Sequence, residues 1–214
     1  MSFRNLLLAD KIIIELDKAL TTLAGTPPSS GRDNPAKNIE ETPLSDNERR
    51  QSVALMRVNH AGEVSAQALY QGQALTAELT NVRESMRQAA AEENDHLLWC
   101  EKRIDELEGR TSLLNPLWYV GSFVIGAVAG KIGDKWSLGF VAETEKQVIE
   151  HLDEHLDKMS DADLRSRSIL AQMREDESHH QQTALDAGGA QLPWLVQKIM
   201  QPMSKVMTRS SYWL

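Results

Sequence analysis

At 214 residues the chain is long enough for one well-buried domain with attachments, and short for two catalytic ones. Its net charge of −8 excludes a nucleic-acid binder, because neutralising phosphates takes clustered Lys and Arg, which occur here only near the end. Cys100 is the one cysteine, which leaves no disulfide framework and no CxxC zinc or iron site, and fits a reducing cytoplasm.

Residues 3 to 23 repeat apolar positions at helical spacing (Phe3, Leu6, Leu7, Ile13, Ile14, Leu20), which predicts an amphipathic helix. TPPSSGRDNPAKN, over 26 to 38, then reads as a flexible linker, so residues 1–40 form an attachment to a bundle over 41–190. Asp10, Glu15 and Asp17, with no small-residue cleavage site, argue against a signal or transit peptide; the mature protein is expected to begin at Met1 and to be bacterial. Ser45 followed by Glu48 predicts a capping box opening a helix that runs to about Leu79. A second helix is expected from Val82 to Glu108, with Gly109 as its C-cap. A third covers Trp136 to Met159, and Ser160, with Asp163 three residues on, caps a fourth that ends near Gly188 and Gly189. Sparse proline and glycine in these stretches make the fold class all-α, four long helices in two hairpins.

Between the hairpins, residues 111–130 carry no charge and have the length of a membrane span. A span would put the hairpins on opposite sides of a bilayer, and Pro116, Gly121, Gly126 and Gly130 also argue against one. The segment is instead expected to lie on a bilayer surface and admit a lipid-like substrate, the alternative being a crossover packed against the bundle. The tail, residues 191–214, has no acidic residue and mixes Trp194, Leu195, Ile199 and Trp213 with Lys198, Lys205 and Arg209, a basic amphipathic composition suited to a membrane surface.

The chemistry lies in a repeated unit. An ExxH pair on a helix places a carboxylate and an imidazole on one face, one turn apart. The chain has two, Glu93 with His96 and Glu177 with His180, each on the later helix of a hairpin. A lone glutamate precedes each, Glu63 by 30 residues and Glu145 by 32. Their midpoints, residues 78 and 161, fall at the predicted turns, so antiparallel pairing brings all six side chains to one height. Glu145 sits among Leu138, Val141, Ala142, Val148 and Leu152, and Glu93 among Met86, Ala89, Ala90 and Cys100, so the carboxylates point inward. Four buried carboxylates need a compensating cation. Four glutamates and two histidines across four helices form the di-iron or di-manganese carboxylate pattern of ferritin-like bundles.

Supporting residues follow from the same map. Glu92 and Asp176, each next to an ExxH glutamate, are expected to orient the histidine of the opposite hairpin. His60 and His151 are candidates for a supporting or substrate-side role, against the alternative of an ordinary polar contact, while His155 and His179 are expected on the surface.

RVNHAGEVSAQALYQGQ around Glu63, EENDH at 92–96, ETEKQVIEHL at 143–152 and MREDESHH at 173–180 resemble the demethoxyubiquinone hydroxylase family over about residues 40–214. The resemblance implies a ferritin-like enzyme with two iron ions per chain that hydroxylates the ring of a 2-polyprenyl-3-methyl-6-methoxy-1,4-benzoquinol with O2 in ubiquinone synthesis. It implies terminal ligands at Glu63 and Glu145, bridging ligands at Glu93 and Glu177, and one iron on each of His96 and His180. The expected setting is the cytoplasmic face of the bacterial inner membrane, as a peripheral protein. Electrons are expected from an external donor or from the quinol itself because no dinucleotide fingerprint is present, and a lipid-presenting partner protein is a further candidate. The competing readings are a ferritin-like iron-storage or peroxide-handling protein and a metal-free structural bundle.

Overall fold

In the computed structural model, which describes residues 8–214, Ser45 opens the first long helix as its sequence predicts. Its backbone N–H donates to Glu48 Oε2 at 2.9 Å while its hydroxyl accepts from the Glu48 N–H at 3.4 Å. The described chain forms α1 (Leu8–Ala24), α2 (Asp46–Thr76), α3 (Thr80–Glu106), α4 (Asn115–Ile132), α5 (Asp134–Lys158), α6 (Leu164–Asp186) and α7 (Trp194–Trp213). Hairpins α2/α3 and α5/α6 make the bundle, joined by α4. Phe3, Leu6 and Leu7 of the predicted first helix lie outside the described residues.

Helix ends depart from expectation where side chains intervene. α2 stops at Thr76, because Asp134 accepts the N–H groups of Glu78 (3.1 Å) and Leu79 (2.7 Å) and fixes a tight turn before α3. The left-handed residue ending α3 is Glu108 (φ 58°), not Gly109; glycine is required at 109 because a Cβ there would press on the Val53 side chain. α6 begins one turn after Ser160, capped by Asp163, which accepts the Ser166 N–H at 3.0 Å. The Ser160 hydroxyl instead donates to Glu48 Oε1 at 2.6 Å and ties the two hairpins together.

The segment expected to be a flexible linker is a strap held against α3 and α6. Ser29 donates to Asp95 at 2.6 Å, Ser30 donates to the same carboxylate, Arg32 pairs with Asp176 at 2.5 Å, and Ala36 is buried in the core. The sequence pattern misses this because the contacts reach across 65 to 144 residues.

Two apolar clusters sandwich the polar layer. One joins Leu55, Met56, Trp99, Cys100, Ile104, Leu152, Ile169, Leu170 and Met173; the other joins Ala66, Tyr70, Ala74, Val82, Met86, Leu138, Val141 and Ala142. Beyond the first, the fully buried Arg103 guanidinium meets Asp163 (2.8 Å), Glu41 (2.6 Å) and Glu106 (3.1 Å).

α4 packs one face on α2 and leaves the other bare. A Cβ at Gly126 would collide with the Leu69 carbonyl and one at Gly72 with the Phe123 carbonyl, so these glycines set how closely the helices approach. On the bare face Leu117, Val120, Val124 and Val128 follow one another at three- to four-residue spacing, each more than half exposed. α7 shows a similar stripe at Leu195, Ile199, Met203 and Val206. Among the described residues no helix is long and apolar enough to cross a membrane. Gly126→Val is expected to wedge α4 from α2 and cost roughly 1–3 kcal/mol or more, read as a lower urea midpoint of the metal-free protein.

Candidate metal centre

The doubled unit converges. Glu63 comes from α2, Glu93 and His96 from α3, Glu145 from α5, and Glu177 and His180 from α6, all buried. Ligand atoms of Glu63, Glu93, His96 and Glu177 lie within 4.8 Å of one another. His96 Nδ1 is 3.0 Å from Glu93 and 3.1 Å from Glu177, and His180 Nδ1 is 3.2 Å from each of the same two carboxylates. Glu93 and Glu177 thus sit between the histidines. Glu63 Oε2 approaches His96 Nδ1 at 3.8 Å, and Glu145 accepts a hydrogen bond from the Tyr70 hydroxyl.

Both imidazoles turn Nδ1 inward and Nε2 outward, and a carboxylate from the opposite hairpin fixes each. His96 Nε2 meets Asp176 Oδ2 at 2.8 Å; His180 Nε2 meets Glu92 Oε2 at 2.7 Å. A histidine whose outer nitrogen donates to a carboxylate presents its inner nitrogen as a fixed, electron-rich donor.

Burial pushes the Glu63 and Glu145 carboxyls well above their usual range, with the Glu93 charge adding at Glu63 and the Glu177 charge at Glu145. Burial would raise Glu93 too, but the His96 charge and hydrogen bonds from both histidines hold it well below. Burial opposes charge on His96 and His180; the surrounding carboxylates prevail, lifting His96 well above its ordinary value and His180 to about 12. Without a cation, burial and the neighbouring carboxylates favour protons on Glu63, Glu145 and both rings. Even so, Glu93 Oε1 and Glu177 Oε1 are buried without a well-aligned hydrogen bond, each facing only a histidine Nδ1, at 3.2 Å and 3.1 Å; a buried oxygen left unsatisfied costs about 1–3 kcal/mol when neutral and more when charged. Orphaned carboxylate oxygens facing two oriented imidazole nitrogens, with no thiolate, fit divalent ions that take oxygen and nitrogen ligands.

The other sequence candidates separate. His60 is buried away from the layer against Asn115 Nδ2 (3.3 Å), and burial lowers its pKa to about 4. His151 is half-buried and bonded to Ser204 at 2.8 Å. His179 is exposed. His155, expected on the surface, is buried, with Nδ1 at 2.9 Å from Asn59 Oδ1 and a pKa lowered to about 4 by burial. Its spacing from Val148, Leu152 and His151 carried that signal. Tyr70 was missed as well, though it lies seven residues, two helical turns, beyond Glu63 on the same face.

A cavity of about 550 Å³ opens from α4 and α7 toward Glu63. Leu69, Trp118, Ile125, Phe140, Ile199 and Met203 make its walls apolar, with Asn59, Thr144, Gln147, His151 and His155 as scattered polar points.

A family model described as ubiquinone biosynthesis protein COQ7 matches residues 50–211. The chain belongs to this family. A 3-demethoxyubiquinol 3-hydroxylase of Nitrosococcus oceani is 58% identical over 214 residues, covering 100% of both chains. Enzymes of the same description from Legionella pneumophila and Acinetobacter baumannii are 54% and 55% identical, each covering 96% of this chain and 97% of their own. A solved thioferritin of Bacteroides fragilis, related to bacterioferritin, superposes with a TM-score of 0.55 over 73% of this chain and 90% of its own; at 20% identity it shows that the COQ7-family chain has a ferritin-like fold.

Because the metal-free layer favours protons on Glu63, Glu145 and both imidazoles, divalent-metal affinity is expected to fall as pH falls. Titration calorimetry in buffers of differing ionisation enthalpy should read about one or more protons released per ion near neutral pH; binding without release would remove these side chains as ligands.

Proposed function

We propose that the chain is a di-iron monooxygenase that hydroxylates the ring of 2-polyprenyl-3-methyl-6-methoxy-1,4-benzoquinol in ubiquinone synthesis. The observation that carries this reading is an apolar cavity leading to Glu63 at the edge of a buried layer of four glutamates and two oriented histidines. The names of full-length relatives that are more than half identical supply the substrate class.

Glu63, Glu93, His96, Glu145, Glu177 and His180 would hold the irons, with His96 and His180 each offering one nitrogen. When bound, the irons supply reduction of O2, one oxygen atom going to a quinol ring carbon and the other to water, with two electrons from an external donor or the quinol pool. The protein supplies position and dryness. Tyr70 fixes Glu145 through its hydroxyl, and Asp176 and Glu92 hold the imidazoles in the orientation a metal requires. The cavity walls exclude water and take the polyprenyl tail, and the unpartnered Asn59 Nδ2 beside His155 offers a hydrogen bond to a quinol oxygen. His155 and His151 are held neutral by burial and can accept from a quinol hydroxyl.

The exposed apolar stripes of α4 and α7 flank this cavity, and Lys198 stacks over Trp194 at 4.7 Å. These features support a peripheral protein at the cytoplasmic face of the bacterial inner membrane, taking its substrate from the bilayer, with a lipid-presenting partner as a further participant.

Protein purified in mild detergent is expected to hold about two irons per chain and to consume O2 with formation of hydroxylated quinol. Oxidation of iron without hydroxylated product would favour storage or peroxide handling, and a folded protein without bound metal would leave a structural bundle. Ile199→Glu, at the cavity wall, should keep the iron and raise KM for the polyprenyl quinol on the order of 10–200-fold, the worth of a hydrophobic contact, with much less effect on a tail-less quinol.

A further inference from the structure

The two halves of the centre repeat one another closely. On α3, Gln88 Nε2 donates to Glu92 (3.0 Å), whose other oxygen accepts from His180. On α6, Gln172 Nε2 donates to Asp176 Oδ1 (3.1 Å), and Asp176 Oδ2 accepts from His96. Between the two braces the repeat breaks at an arginine. Arg32, on the strap before α2, places its guanidinium 2.5 Å from that same Asp176 Oδ2 and lies over the Trp99 ring at 5.1 Å. Among the described residues no arginine or lysine pairs with Glu92. The surroundings differ in step: the His96 side chain is fully buried and Asp176 16% exposed, against 9% for His180 and 32% for Glu92.

We infer that Arg32 makes the two metal positions inequivalent, acting as a positioning residue through Asp176 on His96 alone. An imidazole donating to a carboxylate gains electron density at its metal-facing nitrogen. A guanidinium bound to the same oxygen draws on the charge that would otherwise polarise the ring, so His96 is the poorer donor of the two. The ion on His96 is held more weakly and is the more Lewis acidic; the ion on His180, braced by an unopposed carboxylate, is held more tightly. Trp99 and Arg32 also pack on the His96 half, while both braces, Glu92 and Asp176, border one surface hollow together with His180. This rests on the di-iron reading proposed above.

The test is anaerobic titration of the metal-free full-length protein with 57Fe(II), followed by Mössbauer spectroscopy, for the wild type, Arg32→Met and Gln88→Leu. The wild type should load in two distinguishable steps and give two ferrous doublets of equal area. In Arg32→Met the weaker step should tighten by roughly three- to tenfold, short of the full effect of losing a carboxylate brace, and only one doublet should move; in Gln88→Leu the other should move. Identical doublets in the wild type, or an Arg32→Met spectrum in which neither or both move, would overturn the inference, as would a weakened step, which would make Arg32 a mere anchor of Asp176. Arg32→Lys, which keeps the charge and the strap, should stay near the wild-type spectrum, and it carries the comparison if the methionine variant melts early. Fewer than two irons in the wild type would instead defeat the di-iron reading.

Discussion

Four carboxyl groups and two imidazoles in one dry layer form the constraint around which the rest of the chain is arranged. Glu93 and Glu177 each keep a buried oxygen without a well-aligned hydrogen bond, set against the Nδ1 of a neighbouring imidazole. Burying such a set is costly unless cations take the place of the protons. The apolar clusters on either side keep the layer dry, and the dryness gives the oriented nitrogens and carboxylates their grip on an ion. Features that look separate in the sequence serve this one layer: the turn fixed by Asp134 sets the register of α2 against α3, and Ser160 bonded to Glu48 sets one hairpin against the other.

Much of this arrangement was legible in the chain. Residues 78 and 161, the midpoints of the two glutamate pairs, lie within the observed turns, so equal spacing on antiparallel helices was enough to put the six side chains at one height. The placing of Glu92 and Asp176 opposite the histidines followed from adjacency to the ExxH glutamates. Local rules failed where a distant side chain decides a local outcome. Asp163 rather than Ser160 caps α6 because Ser160 is taken by Glu48, and no pattern within four residues reveals that. Gly109 looked like a left-handed cap, yet its lack of a side chain serves contact with Val53. The strap was the largest omission: Ser29, Ser30 and Arg32 lie in a run of breakers whose composition suggests disorder, and distant partners, Asp95 and Asp176 among them, order it.

The apolar crossover resolves a choice that composition left open. α4 is both a packing partner and an exposed apolar surface, because Gly126 and Gly72 let one face sit almost directly on α2 while the valines and leucines of the other remain bare. The same placement makes α4 one wall of the cavity leading to Glu63, with α7 facing it. An uncharged stretch of membrane-span length thus becomes a doorway, and its glycines are the reason it can lie down along the bundle.

The crossed pairing of histidines and carboxylates reaches beyond chemistry. Glu92 on the first hairpin steadies the histidine of the second, and Asp176 on the second steadies that of the first, so neither hairpin holds a finished half-centre alone. An undocked hairpin offers an ion a loose glutamate and a freely turning ring. The six side chains therefore stand in their braced orientation only in a chain whose two halves have met in register. The centre is thus completed by the docking of the hairpins and not before it.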